Sequence, residues 1–251
     1  MKLVSIITPL FNAESYVEET ICSVLNQDYQ NWEMILVDDC SLDKSVSIVQ
    51  EIQKHDSRIK LLKNNSNMGP APSRNRAIDE AKGDIIAFLD SDDIWHPQKL
   101  SKHVSFMEKN SSAFSHTSYG FIDENGRVIN STYHVSNKPV SYENLLKRTE
   151  ISCLTAMFDV HKVGKMHMPV LSRAEDYALW LDILKLGFLS DPLDEELAYY
   201  RQHNASATSS KWKHVLGHWR FLRNREALSF LTSSYYTLCW AIGGVVKYYV
   251  K

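Results

Sequence analysis

Short apolar runs alternate with amphipathic stretches along the first half of the chain. Residues 3–8 form a β-rich run stopped by Pro9, and residues 32–37 form a second that ends in Asp38 and Asp39. Both read as buried parallel strands. Between them Val17, Ile21, Val24 and Leu25 recur at the spacing of one helix face. The unit then repeats. Asp43 can cap a helix carrying Val46, Val49 and Ile52, residues 59–62 read as a strand, and Pro72 opens a helix that Gly83 closes before a buried strand at 85–89.

This alternation predicts an α/β fold with a mainly parallel sheet and helices on both faces, because parallel strands need right-handed crossovers. Ligands of such sheets bind beyond the carboxyl ends of the strands. Two strands here end in acids, Asp38 with Asp39 and Asp90 with Asp92 and Asp93, so carboxylates far apart in sequence are expected in one crevice. After residue 111 the regularity stops. Asn125 and Gly126, flanked by apolar pairs, signal a hairpin, so the second half is expected to be mixed. Residues 154–158 read as a strand, 178–186 as a helix ended by Gly187 with Glu175 and Asp176 at its start, and 197–200 as a last strand.

Composition narrows the function. The 251 residues, 44% hydrophobic, suffice for one large domain and a tail, and the formal net charge of −2 gives no general pull toward nucleic acid. Cys22, Cys40, Cys153 and Cys239 form no CxxC pair, so neither zinc nor a disulfide framework is implied and a reducing compartment is the simpler reading. The first residues lack a secretory pattern, and a cytoplasmic protein is expected.

Asp90, Ser91, Asp92 and Asp93 form a compact acidic turn directly after an apolar strand. Magnesium and manganese are commonly held by one or two carboxylates together with substrate phosphates, which suits such a turn. An isolated turn of this kind is more often a solvated loop, but a buried strand fixes this one in place. Trp95 stands where a helix–loop–helix calcium site needs glycine, which argues against that alternative.

The chain resembles the metal-dependent glycosyltransferases of family 2, over about residues 1–206. The segments that carry the resemblance are VSIITPLFN (4–12), ILVDDCS (35–41), GPAPSRNR (69–76), GDIIAFLDSDD (83–93), EDYALWL (175–181) and YRQH (200–203), in the family's order. The resemblance implies a Rossmann-like nucleotide-diphospho-sugar transferase fold. It implies that Asp39 hydrogen-bonds the donor base, usually uracil, beside Thr8 and Pro9, with Asp38 supporting the turn. Asp90 and Ser91 would lie on the donor, Arg74 would face the nucleotide or diphosphate, and Asp92 would ligate manganese or magnesium with help from Asp93. Asp176 would be the base of an inverting transfer, with Glu175 orienting it or touching the acceptor, and His203 is a metal ligand in some members.

The implied donor is a UDP-hexose or UDP-N-acetylhexosamine. The implied acceptor is a glycan or a lipid-linked sugar, as in cell-surface polysaccharide biosynthesis. Each residue also has an ordinary reading. Asp38 and Asp39 can cap a helix, acids are favoured at any helix N-terminus, Arg74 can be a surface residue, and a lone His203 is more often structural.

Two other functions fit an acidic α/β site. A sugar nucleotidyltransferase would want a glycine-rich loop after the first strand, and residues 8–12 contain no glycine. A non-catalytic nucleotide-sugar-binding subunit would need no base, which the Glu175–Asp176 pair would supply.

The expected organisation is a catalytic domain at 1–210, with a nucleotide-binding half (1–110) and an acceptor-binding half (111–210), and a helical tail at 211–251. Residues 227–246 carry no charge, but serines, threonines and two glycines interrupt them. Lys211, Trp212, Lys213, Trp219, Arg220, Arg223 and Arg225 precede them, a mixture that suits a surface lying at a lipid interface on the inner face of the cell membrane. Packing of a helical pair against the domain is the equal alternative.

Overall fold

The computed structural model describes residues 1–171, 173–203 and 211–249. Four strands, β1 (Val4–Leu10), β2 (Trp32–Asp38), β3 (Ile59–Lys63) and β4 (Ile85–Phe88), pair in parallel in the order β3-β2-β1-β4. Helices α1 (Val17–Leu25), α2 (Ser45–Gln53) and α3 (Pro70–Glu80) are the crossovers between them. Strand alternation feeds two cores. Ile6, Met34 and Leu36 pack with α1 on one face, while Ile7, Ile35 and Val37 pack with α3 on the other.

Beyond β4 the sheet turns mixed, as the sequence predicts. It adds β8 (Met157–Asp159) antiparallel to β4, then β6 (Phe114–Ile122), then β9 (Ser190–Arg201) parallel to β6, with β5 (Ile94–Trp95) antiparallel to β9. Strand β7 (Val128–Tyr133) folds back on β6 through the turn at Asn125 and Gly126, where Gly126 has φ +75°. Helices α4 (Lys99–Lys109), α5 (Tyr142–Lys147), α6 (Val160–Val163) and α7 (Glu175–Lys185) complete the body.

Several boundaries differ from the sequence reading. Strand β1 runs through Pro9, because the ladder to β4 ends at Ile7 and Phe88 and no partner there needs the missing N–H. Helix α3 opens at Pro70, after Gly69 at φ +88°, not at Pro72. Gly83 does not close that helix. An added Cβ there would lie 2.6 Å from the Ser5 nitrogen, so this glycine is needed for close backbone approach. Strand β9 begins at Ser190, seven residues before the apolar run, since β5 covers only Tyr199 and Ala198 and leaves the earlier part a polar edge.

The tail forms α8 (Lys211–Asn224) and α9 (Phe230–Tyr249). Leu222 is wholly buried with α7, Tyr177 packs on Phe221 at 5.4 Å, and the buried Glu226 accepts from Tyr142 and pairs with Lys185. One face of the helical pair therefore packs on the body. The expected boundary at 210 and the side chains of Lys211, Trp212 and Lys213 lie outside the described residues. No described helix is long and apolar enough to cross a membrane.

Candidate active site

The carboxyl ends of β1, β2 and β4 open into a cleft of about 330 Å³, lined by Pro9, Asp39, Arg74, Asp90, Ser91 and Asp92 among others. This is where a parallel α/β sheet places its ligands. Asp39 is buried at the wall. Its Oδ1 accepts from the Asn64 side chain (2.8 Å) and the Met68 N–H (2.9 Å), and its Oδ2 from the Gly69 N–H (2.7 Å). One carboxylate thus fixes the loop that starts α3, and its remaining lone pair, on Oδ2, can still take a donor N–H. Asp38 accepts from the Ser41 N–H at 3.2 Å, inside the turn and away from the cleft lining. Between them and Ser41 sits Cys40 at φ +67°, a strained non-glycine conformation of the kind that clusters at functional sites. Thr8 is buried and does not line the cleft, and its Oγ1 has no hydrogen-bond partner among the described residues.

Arg74 crosses the floor. Its Nη2 lies 2.5 Å from Asp90 Oδ1 and its Nη1 3.0 Å from Glu175 Oε1. Burial opposes the guanidinium charge, yet Asp90 holds its pKa well above the ordinary value, so it stays a cation. Glu175 and Asp176 begin α7, which Trp180 anchors by stacking on Phe114 (5.2 Å) and meeting Phe88 edge-on (5.4 Å). Ala174 precedes them at φ +60°. Asp176 accepts its neighbour Tyr177's N–H at 2.7 Å. Burial pushes its pKa up, against the lowering effect of Arg74 and that N–H, which gives a carboxylate more basic than usual.

The acidic turn divides by exposure. Asp90 and Asp92 are partly open to the cleft, whereas Asp93 is buried and its Oδ1 accepts the Arg201 N–H at 2.8 Å. Burial, then Asp92 and Asp90, raise the Asp93 pKa well above the carboxylate range. His203 Nε2 lies 2.8 Å from Asp92 Oδ2, and its ring meets Tyr16 at 5.3 Å. No group of three or more His, Cys, Asp or Glu among the described residues forms a protein-only metal cage. Asp92 at the open wall fits a magnesium or manganese ion that completes its shell with substrate phosphates and water.

Arg201 carries no assigned role in the sequence reading, although it lies within the YRQH segment. Its side chain is wholly buried and ties four parts of the site together. Nε donates to the Asp92 carbonyl (2.6 Å), Nη1 to the Asp123 carbonyl (3.1 Å) and Nη2 to Glu19 (2.5 Å), with the guanidinium 4.8 Å from the Tyr16 ring. A charged residue closing the apolar run of β9 is the signal that marks it.

The family model described as Glycosyl transferase family 2 matches residues 5–163. The chain belongs to glycosyl transferase family 2. It is 41% identical over 245 residues to the putative teichuronic acid biosynthesis glycosyltransferase TuaG of Bacillus subtilis, covering 98% of this chain and 97% of that one. It is 38% identical to the Escherichia coli UDP-Glc:alpha-D-GlcNAc-diphosphoundecaprenol beta-1,3-glucosyltransferase WfgD, covering 98% and 95%. The fold matches S. aureus TarS 1–349 in complex with UDP-GlcNAc at TM-score 0.69 and 23% identity, over 94% of this chain and 70% of that one. It also matches the mannosyltransferase PcManGT of Pyrobaculum calidifontis, in complex with GDP-Man and Mn2+, at TM-score 0.69 and 16% identity, over 94% and 70%. This family 2 protein is therefore a glycosyltransferase with a mixed α/β nucleotide-sugar transferase fold.

Proposed function

We propose that the chain transfers a sugar, with inversion, from a UDP-hexose or UDP-N-acetylhexosamine to a hydroxyl of a glycan or lipid-linked acceptor in cell-surface polysaccharide synthesis. The observation that carries this reading is the Arg74 bridge, which holds Asp90 of the donor cleft and Glu175 of the base-bearing helix on one guanidinium. Relatives whose names specify teichuronic acid biosynthesis and a diphosphoundecaprenol acceptor support the substrate class.

In this reading Asp39 accepts from the base, with Pro9 beneath it and Thr8 and Asp38 supporting the floor and turn, while Asp90 and Ser91 meet the ribose side of the donor. Asp176 takes the proton of the acceptor hydroxyl. That oxygen attacks the anomeric carbon opposite the diphosphate, the new C–O bond forms as the bond to the diphosphate oxygen breaks, and the configuration inverts. Glu175 and Arg74 hold Asp176 in place, and Arg74 adds positive charge beside the leaving group. Asp92 and His203, with Asp93 fixing the turn, would hold manganese or magnesium, which would supply further positive charge to the diphosphate.

The tail is read as a peripheral contact with the inner face of the membrane. On α9, Leu231, Tyr235, Leu238 and Ile242 are exposed and share one face. Such a stripe suits the headgroup boundary.

A donor panel of sugar nucleotides, with and without manganese, tests the function through UDP release. Asp176→Asn removes transfer while sparing donor affinity, and Asp92→Ala weakens metal-dependent donor binding. Full activity of Asp176→Asn would overturn the base assignment, and release of pyrophosphate would identify a nucleotidyltransferase instead.

A further inference from the structure

Asp176 also lines a second cavity, of about 550 Å³, whose opposite wall comes from the tail helices: His214, His218 and Arg220 of α8 and Trp240 of α9. The tail is thus part of a pocket that contains the base. Trp240 donates from Nε1 to Thr149 at 2.7 Å, and its ring stacks on His218 at 4.6 Å and 13°, which sets a flat aromatic wall. Burial lowers the His218 pKa to about 4, so that imidazole is neutral, and its Nε2 has no hydrogen-bond partner among the described residues.

The cationic groups of this pocket are not equivalent. Arg225 is neutralised by Asp182 and Glu226. Arg173, at the turn before α7, and Arg220 both line the cavity and are exposed, and neither has a carboxylate or hydrogen-bond partner among the described residues. Against them Asp176 is the one carboxylate lining the cavity among the described residues, so its rim carries excess positive charge. Guanidinium groups left unpaired beside a catalytic base suit a bidentate grip on phosphate oxygens.

We infer that this cavity is the acceptor subsite, and that Arg173 and Arg220 hold a diphosphate attached to the acceptor sugar while the sugar hydroxyl reaches Asp176. The inference rests on Asp176 as the base. The tail then serves both the cavity and the membrane. Trp240 faces the cavity, whereas Leu238 and Ile242, two residues to either side, point to the opposite face of α9. A lipid surface against that stripe lies about one helix diameter, ~10 Å, from the phosphate grip, the depth of a lipid-borne diphosphate at the headgroup level.

The test uses the full chain and a matched pair of acceptors with the same sugar and alkyl chain, one joined through diphosphate and the other a neutral glycoside. Arg173→Ala and Arg220→Ala each reduce the preference for the diphosphoryl acceptor about tenfold, the double variant about a hundredfold, and lysine at either position restores part of it. The donor Kd stays unchanged, and inorganic pyrophosphate competes with the diphosphoryl acceptor in the parent protein only. Equal losses on both acceptors, or loss of donor affinity, would overturn the phosphate grip while leaving the transferase reading intact. A parent inactive on every acceptor sinks the transferase reading and this one with it. Both arginines are exposed and unpaired, so unchanged thermal unfolding of the variants is expected and checks that any loss is local.

Discussion

Arg74 Nη1 and Glu175 Oε1 meet at 3.0 Å, joining the helix behind the cleft to the helix that begins with Glu175 and Asp176. The same guanidinium reaches Asp90 at 2.5 Å and lowers the pKa of Asp176 against the effect of burial. It is a cation shared by three carboxylates, and it opposes the rise of the Asp176 pKa above the ordinary range.

Removing it has a directional consequence for pH dependence. As the proposed base, Asp176 must be ionised to accept a proton, so transfer is expected to fall as pH drops through its pKa. Arg74→Met raises that pKa further, and the acid limb of kcat/KM moves to higher pH, with kcat/KM at pH 7 falling about 10²–10³-fold. Arg74→Lys keeps a charge near the carboxylates and moves the limb less. A pH–rate profile of the three proteins checks this; a rate loss with the limb unmoved would show that Arg74 acts only on the donor.

Arg201 is the structural counterpart on the side of Asp92 and Asp93. Its fork fixes the Asp92 and Asp123 carbonyls and Glu19, and its backbone N–H satisfies Asp93. Arg201→Met takes the side-chain donors from the Asp92 and Asp123 carbonyls and the cation from the half-exposed Glu19, keeps the backbone N–H to Asp93, and is expected to cost about 1–3 kcal/mol in unfolding free energy. UDP affinity in manganese should fall as well, because the turn bearing Asp92 loosens. Arg201→Lys has the charge without the planar fork and recovers less than half of either quantity. Chemical denaturation and donor titration measure the two effects separately.

The parallel half of the fold is legible in the sequence because each strand there is a continuous apolar run and each crossover helix has one apolar face. Ile6, Ile35 and Val17 announce their burial by spacing alone. Strand β5 is only Ile94 and Trp95, too short to show a period, and the first half of β9 is polar because it forms an edge. Gly83 reads as a helix stop from its neighbours, whereas its cause is the approach of Ser5 from across the sheet. For the site, the motifs name acids but not which way they face. Asp93 turns inward to Arg201, and Arg220 lines a cavity with Asp176 only through the docking of α8, a tertiary arrangement that no local pattern records.

The exposed stripe of α9 makes the membrane reading testable without truncating a wall of the second cavity. Leu238→Glu with Ile242→Glu places two charges on the outer face and leaves Trp240 in place. The variant should lose flotation with vesicles containing anionic lipid, by about tenfold or more, while transfer to a water-soluble acceptor persists. Flotation equal to that of the parent would show that the stripe is not the contact.

Lys99 takes no part in the proposed chemistry of the site. Lys99 is wholly buried between α4 and the sheet, its Nζ 2.5 Å from His103 Nδ1 and 3.2 Å from the Thr155 carbonyl, and no carboxylate pairs with it among the described residues. Burial therefore pushes its pKa well below the usual 10.5. Between that depressed value and 10.5 the unfolded chain holds a proton that the folded chain does not, so stability rises with pH across this window, at about 1.4 kcal/mol per unit from this group. Lys99→Met removes that dependence and leaves His103 Nδ1 without its partner, a fixed cost of about 1–3 kcal/mol. The variant should accordingly be more stable than the parent toward neutral pH and less stable near pH 10, with the two stability curves crossing. Urea unfolding across that range checks it, and parallel curves would mean that Lys99 keeps its proton inside the fold.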